Sequence, residues 1–325
     1  VKAVQFRGVG ELALAEVERP RIAADEVLVA LRSVGICHSD FELLDGRYII
    51  PFSYPLVPGH EWSGAVVEVG REVTAFAPGD RVLGECVIGA DHFGFSISGA
   101  AAEYFVARPE WLHRVPAELT DTQAALVEPM SCAYFAAMHA GNVNGSDTVV
   151  VFGAGPIGLS CVAVAATLGA RVICAEPDPA RGALAGTLGA EQVLDPTADG
   201  LAERVFELTG GRGADVVLEA SGQPAAMAAT LEVAGQDARL VNIGIDVGNS
   251  APAKLGLIQS KQLRIRGTIG SPGVWPATLR FLARTGLDLS AIVTRRYPLG
   301  QAADAYAAAR RAGENVKVHI ESAAS

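Results

Sequence analysis

Two short segments hold the side chains best able to do chemistry. In Val34-Gly35-Ile36-Cys37-His38-Ser39-Asp40 and Pro58-Gly59-His60-Glu61-Trp62, a thiol, imidazoles and carboxylates lie close together with glycines nearby. A thiolate, an imidazole and a carboxylate suit a catalytic zinc that keeps its fourth position open. Cys37 and His60 are the candidate ligands, and Asp40 is the kind of carboxylate that orients an imidazole through its other nitrogen. The segments do not form a compact CxxC pattern, so spacing alone leaves both a metal site and ordinary structural side chains open. Ser39, between Cys37 and Asp40, could be a turn serine bonded to its own backbone.

A third segment, Gly153-Ala154-Gly155-Pro156-Ile157-Gly158, follows the apolar run Thr148–Phe152 and precedes a helical pattern. The first glycine permits the tight turn, the second lets backbone approach a pyrophosphate, and the third allows close helix–strand packing. The helix start, with Pro156 and Ile157, offers free N–H groups and a positive dipole end to phosphate. Glu176 closes the next strand about 20 residues on, where an acid hydrogen-bonds the adenosine ribose and repels a 2′-phosphate. NAD is therefore expected over NADP, with Arg181 able to stack on adenine or tolerate a phosphate. The competing reading is a packing turn with a solvated Glu176.

The elements that must position these residues fall into two styles. Residues 1–120 alternate like β-structure, with strands expected at Val1–Phe6, Leu12–Val17, Glu26–Ser33, Gly64–Val69 and Ala102–Ala107. Thr120 and Gln123 form a capping box at a helix start. Pro129 suits the first position of a further helix, which would place Glu128 on a break between two helices. From Thr148, six apolar strands (Thr148–Phe152, Arg171–Glu176, Gln192–Leu194, Asp215–Glu219, Arg239–Ile243, Leu263–Gly267) alternate with five helical segments. That pattern predicts an α/β fold with a doubly wound, six-stranded parallel Rossmann sheet. A helix near 276–285 and a strand near 316–320 follow and are expected to rejoin the first domain.

The chain of 325 residues is too long for one ordinary core. Its 36 acidic and 26 basic residues give a net charge of −10, which argues against a nucleic-acid or anionic-membrane partner. Five scattered cysteines argue against a disulfide framework. With no signal peptide and no apolar run of a membrane span's length, the cytoplasm is the expected compartment.

The order GxCHSD, GHE, EP and then a late GxGxxG resembles the zinc-containing medium-chain dehydrogenase/reductase family across nearly the whole chain. Val57–Gly64, followed by Gly79-Asp80-Arg81-Val82, is close to that family's zinc-enzyme signature. Glu128-Pro129 looks like the sorbitol and threonine dehydrogenase branch, and Pro51–Gly64 with Trp62 is similar to aminocyclitol dehydrogenases. The resemblance implies a β-rich GroES-like catalytic domain (1–128 and 271–325), an NAD-binding Rossmann domain (129–270), and a homodimer or homotetramer. It implies Cys37 and His60 as zinc ligands, with Glu61 or Glu128 completing the set. One thiolate, one neutral imidazole and one carboxylate make the zinc site neutral, whereas a second carboxylate would weaken its acidity. One glutamate is therefore expected to bind at a time, Glu61 in the apo form and Glu128 as exchange partner.

Within that resemblance, Ser39 fits the hydroxyl that accepts the alcohol proton and passes it towards the cofactor ribose. Where the family often has a histidine relay exit, this chain has Glu42, so either Glu42 or water takes the proton onward. His38 could touch the pyrophosphate or be an ordinary loop histidine. Many relatives carry four cysteines for a second, structural zinc in the stretch where this chain has Cys86 alone, so a single zinc is expected. The expected reaction is oxidation of a secondary alcohol of a polyol, sugar or (amino)cyclitol to a ketone, at a cleft between the domains. A zinc-free quinone or enoyl reductase would not need Cys37, His60 and Glu61, and a non-catalytic dinucleotide-binding protein would normally have lost them.

Overall fold

The computed structural model describes residues 1–245, 248–311 and 313–322. Residues 246, 247, 312 and 323–325, which fall within the expected domain ranges, lie outside the described residues. Two compact units emerge: Val1–Glu128 with Trp275–Ser325, and Pro129–Val274.

The first unit opens with β1 (Lys2–Gly8), β2 (Glu11–Glu16), β3 (Val27–Ile36), α1 (His38–Leu44), β4 (Glu61–Val69) and β5 (Arg81–Gly84). A two-residue pair, β6 (Val87–Ile88) and β7 (Asp91–His92), precedes β8 (Tyr104–Ala107), β9 (Leu112–Arg114) and α2 (Asp121–Ala125). Thr120 Oγ1 accepts the Gln123 N–H at 3.2 Å while the Gln123 side chain accepts the Thr120 N–H at 2.7 Å, completing the expected capping box. The helix break falls at Leu126 rather than beside Pro129, and α3 (Val127–Tyr134) begins before the proline. Pro129 is tolerated there because first-turn N–H groups have no partner within the helix. Glu128 therefore sits inside the first turn of α3.

The second unit alternates β10 (Thr148–Phe152), α4 (Pro156–Thr167), β11 (Arg171–Ala175), α5 (Pro179–Thr187), β12 (Gln192–Leu194), α6 (Leu201–Leu208), β13 (Ala214–Glu219), α7 (Pro224–Val233), β14 (Ala234–Asn242), α8 (Gly256–Ser260) and β15 (Arg264–Gly267). All six strands pair in parallel in the order β12-β11-β10-β13-β14-β15. This is the doubly wound sheet the strand–helix rhythm predicts, with its order reversing at β10. Val150, Phe152, Ile173, Val217 and Leu240 fill one side of the core.

The chain returns to the first unit through α9 (Trp275–Thr285), β16 (Val293–Pro298), α10 (Ala302–Arg310) and β17 (Lys317–Glu321). A seven-stranded sheet runs β16-β17-β3-β4-β5-β9, with β8 also pairing β3. The central strand β3 lies between β17 and β4, and Gly35 faces His319 on one side and Glu61 on the other. That rung brings residues far apart in sequence to one place beneath Cys37.

Candidate metal centre and cofactor loop

Cys37 follows β3 and caps α1. Its N–H donates to Asp40 Oδ2 at 2.8 Å, so the same turn that presents the thiol buries Asp40 completely. His60 immediately precedes β4, and the Cys37 sulfur, one His60 ring nitrogen and one Glu61 oxygen lie within 4.8 Å of one another. The ring is pressed against Phe95, with centroids 4.4 Å apart. His60 Nδ1 lies 3.8 Å from Asp40 Oδ1, and both are buried atoms without a hydrogen-bond partner. A sub-ångström adjustment would let the carboxylate accept from Nδ1 and leave the other nitrogen for a metal.

The charges around this cluster favour a cation. Burial pushes the His60 pKa down, but the hydrogen bond and charge of Cys37, with Asp40 and Glu128, outweigh it and lift it to about 10. Glu128, in the first turn of α3, is raised to about 7, first by burial and then by Glu61 and Asp40, against the pull of His60 and Lys317. Burial also raises Asp40, with His60 and the Cys37 N–H opposing it. Three acids, a thiol and an imidazole gathered in a largely buried place suit a divalent cation, which can satisfy several of them at once. On these grounds the donor set fits zinc.

Glu61 is not free, however. Lys317 Nζ donates to its Oε1 at 2.6 Å and lies 2.5 Å from its Oε2, off the hydrogen-bonding direction at that second oxygen. Nζ also donates to the Ile36 carbonyl at 3.2 Å. Burial opposes both charges, yet each holds the other ionised: Glu61 is shifted down and Lys317 up. Next along β17, His319 Nδ1 lies 2.9 Å from Ser33 Oγ, and burial, then the Lys317 charge, brings its pKa down to about 3.

Ser39 lies in the first turn of α1, its Oγ 3.7 Å from the Cys37 sulfur. Tyr48, within hydrogen-bonding range of Ser39, stacks on Phe95 with centroids 4.8 Å apart. Burial is the main reason the Tyr48 pKa is raised. His38 is exposed and Glu42, four residues on along α1, is partly exposed. Sequence reasoning missed Lys317, His319, Tyr48 and Phe95. A signal for the first two was present: Lys317 and His319 alternate with Val318 and Ile320, which puts a cation and an imidazole on one face of a buried strand.

In the second unit, the glycine motif turns out of β10 into α4. Gly153 has φ +88°, and its N–H donates to the Ala175 carbonyl at 2.9 Å. A Cβ at Gly158 would collide with the Gly153 carbonyl, whereas a Cβ at Gly155 would meet no protein atom within 4 Å. Gly158 is thus required by packing, and the space beside Gly155 is left for something else. Gly155 caps α4 and Pro156 opens it, exposing the first-turn N–H groups that include Ile157. Glu176, just past β11 and buried, accepts the Ala154 N–H at 2.6 Å and the Asp178 N–H at 2.9 Å, tying the glycine turn to the next strand. The Arg181 N–H donates to Asp178 at the start of α5, at 3.0 Å.

Residues 23–117 match the alcohol dehydrogenase GroES-like domain, and residues 156–284 match the zinc-binding dehydrogenase family. A D-arabitol-phosphate dehydrogenase of Enterococcus avium is 32% identical over 98% of this chain and 96% of the relative. A sorbitol dehydrogenase of Halalkalibacterium halodurans is 32% identical over 96% of each. The crystal structure of 2R,3R-butanediol dehydrogenase from Bacillus subtilis superposes with TM-score 0.91 at 27% identity, over 98% of this chain and 99% of that one. With the two-domain match, the parallel sheet and the Cys37–His60–Glu61 cluster, the chain belongs to the zinc-binding medium-chain dehydrogenases, close to the sorbitol and threonine dehydrogenases.

Proposed function

We propose that the protein oxidises a secondary alcohol of a polyol, sugar or (amino)cyclitol to a ketone, using one zinc per chain and NAD in preference to NADP. The observation that carries this reading is the convergence of Cys37, His60 and Glu61, with Glu128 coupled to them electrostatically, in a chain that also has the dinucleotide-type glycine turn. Cys37 and His60 would hold the ion, with Glu61 or Glu128 as the carboxylate. A zinc ion there supplies Lewis acidity towards the alcohol, and the dinucleotide supplies the hydride acceptor.

The chain's own residues do the rest. Asp40 sets the His60 ring by facing Nδ1. Ser39, beside the Cys37 sulfur, receives the alcohol proton and passes it to water or to Glu42 on the same helix. Tyr48 and Phe95 wall the approach to Ser39 with two stacked rings. In the second unit the Gly153–Gly158 turn and the α4 start bind the pyrophosphate. Glu176, already anchored by two N–H groups, presents its remaining lone pairs to the ribose hydroxyls and repels a 2′-phosphate. Cys86, partly buried, is the sole cysteine between Arg81 and Glu103, which supports one zinc rather than two. The exposed edge strand β15 supports an oligomer.

The relatives act, by name, on a sugar-alcohol phosphate, sorbitol and a vicinal diol, which supports a polyhydroxylated substrate. A panel of polyols, aminocyclitols and simple secondary alcohols, read by NADH formation with the zinc-loaded enzyme, tests the proposal. The polyhydroxylated members should turn over fastest. Turnover confined to quinone or enoyl substrates would contradict it.

A further inference from the structure

The rung across β17, β3 and β4 contains a device that the zinc and dinucleotide reading does not use. Glu61 is the carboxylate in the tight cluster with Cys37 and His60, yet both of its oxygens lie against Lys317 Nζ. Lys317 is 4% exposed and has three ammonium hydrogens. Ile36 O and Glu61 Oε1 accept two of them, and Glu61 Oε2 lies 2.5 Å from the same nitrogen. Neither partner can leave without stranding the other's buried charge.

The strand between them is shaped for this contact. Gly35 lies opposite Glu61 on one side and His319 on the other. Its backbone is ordinary extended strand, so the reason for glycine is space. A Cβ there would overlap Glu61 Oε2 and press to 3.3 Å from His319 Nε2. Only a bare Cα lets the Glu61 carboxylate fold back over β3 and reach Lys317 on the far side.

We propose that Lys317 is a positioning residue that, with Gly35, holds Glu61 back from the metal, so that Glu128 completes the ligand set and one coordination position stays open for the alcohol. The inference rests on the zinc reading above and deepens it. Two carboxylates beside the ion would make the centre anionic and blunt its acidity; pairing one with a fixed ammonium neutralises it without removing it. Glu61 becomes a reserve ligand, restrained by a cation 256 residues away in sequence.

The test uses full-length protein loaded with Co²⁺ in place of zinc, with imidazole as the exogenous ligand and the visible cobalt spectrum as readout. In the wild type, imidazole should shift the spectrum, reporting an open position. In Lys317→Met the freed Glu61 should occupy that position. Imidazole should then bind at least about tenfold more weakly, a chelator should extract the metal more slowly, and kcat should fall. Lys317→Arg should restore the wild-type response, and so should Lys317→Met combined with Glu61→Gln. Gly35→Ala gives an independent route if Lys317→Met does not fold. Its methyl displaces only the end of a flexible carboxylate and should reproduce the loss of imidazole response. An unchanged imidazole response in foldable Lys317→Met, or in Gly35→Ala, overturns the latch. A wild type that binds no cobalt at all overturns the zinc reading instead, so the two failures are distinguishable.

Discussion

Replacing Lys317 with Met in the metal-free protein removes the cation from a pair whose side chains are only 3% and 2% exposed. The Glu61 carboxylate would then stay buried without its hydrogen-bonded ammonium, which costs about 3–5 kcal/mol. For a folding unit of this size about 1 kcal/mol moves the melting midpoint by roughly 2–4 °C, so a fall of about 6–20 °C is expected. Glu61→Gln alone should also destabilise, because it strands the ammonium. The double variant replaces the pair by two neutral groups of similar shape and should recover most of the loss, giving a coupling of about 2–4 kcal/mol. Thermal melts of the four proteins followed by tryptophan fluorescence form the assay, with buried Trp62 adjoining Glu61 as a local reporter. Zinc should shrink the Lys317→Met deficit, since a ligand that binds only the folded state stabilises it. A double variant that melts as low as the sum of the singles would refute the claim that the two charges form one energetic unit.

Gly155→Ala should leave the melting temperature unchanged and weaken NAD binding at least about tenfold, whereas Gly158→Ala should lower the melting temperature by calorimetry as its methyl meets the Gly153 carbonyl. His319 is held neutral down to about pH 3 by burial, then by the Lys317 charge. Below its unfolded pKa of about 6.5 the unfolded chain binds a proton that the folded chain refuses, so stability falls with pH by up to about 1.4 kcal/mol per unit. Urea unfolding at several pH values between 7 and 4 should show His319→Gln lacking that increment. Glu176→Gln should cut the NAD-over-NADP ratio of kcat/KM by about tenfold or more, one carboxylate facing a phosphate being worth about 1–3 kcal/mol after screening; an unchanged ratio in steady-state assays would remove Glu176 from cofactor choice.

What could be read from the sequence was local or periodic. The turn at Gly153–Gly158 announced itself because strand, glycines and helix are contiguous, and the parallel sheet because apolar runs recur between helical segments. Thr120 and Gln123 were legible as a cap for the same reason. Cys37, His60 and Asp40 were visible as residue types, but only the pairing of β3 with β4 sets them side by side. The helix start near Glu128 came out two residues early because a proline early in a helix breaks no hydrogen bond. The short helix α1, whose N-terminus carries the thiol, has no apolar period long enough to announce it. Ala302–Arg310 forms α10 from an alanine-rich run that offers little amphipathic contrast. Lys317 lay hidden for a different reason. A lysine in a late strand reads as an edge charge until the sheet order places β17 against β3 and its ammonium on the Ile36 carbonyl and Glu61.

The central claim, that Cys37 and His60 hold one zinc that the reaction needs, is tested most directly by metal analysis of purified wild type and Cys37→Ser beside a calorimetric NAD titration. The account predicts about one zinc per chain in the wild type. It predicts almost none in Cys37→Ser, with NAD still bound and no alcohol oxidised. Two zincs in the wild type, or a Cys37→Ser variant that keeps its zinc and its turnover, would contradict it.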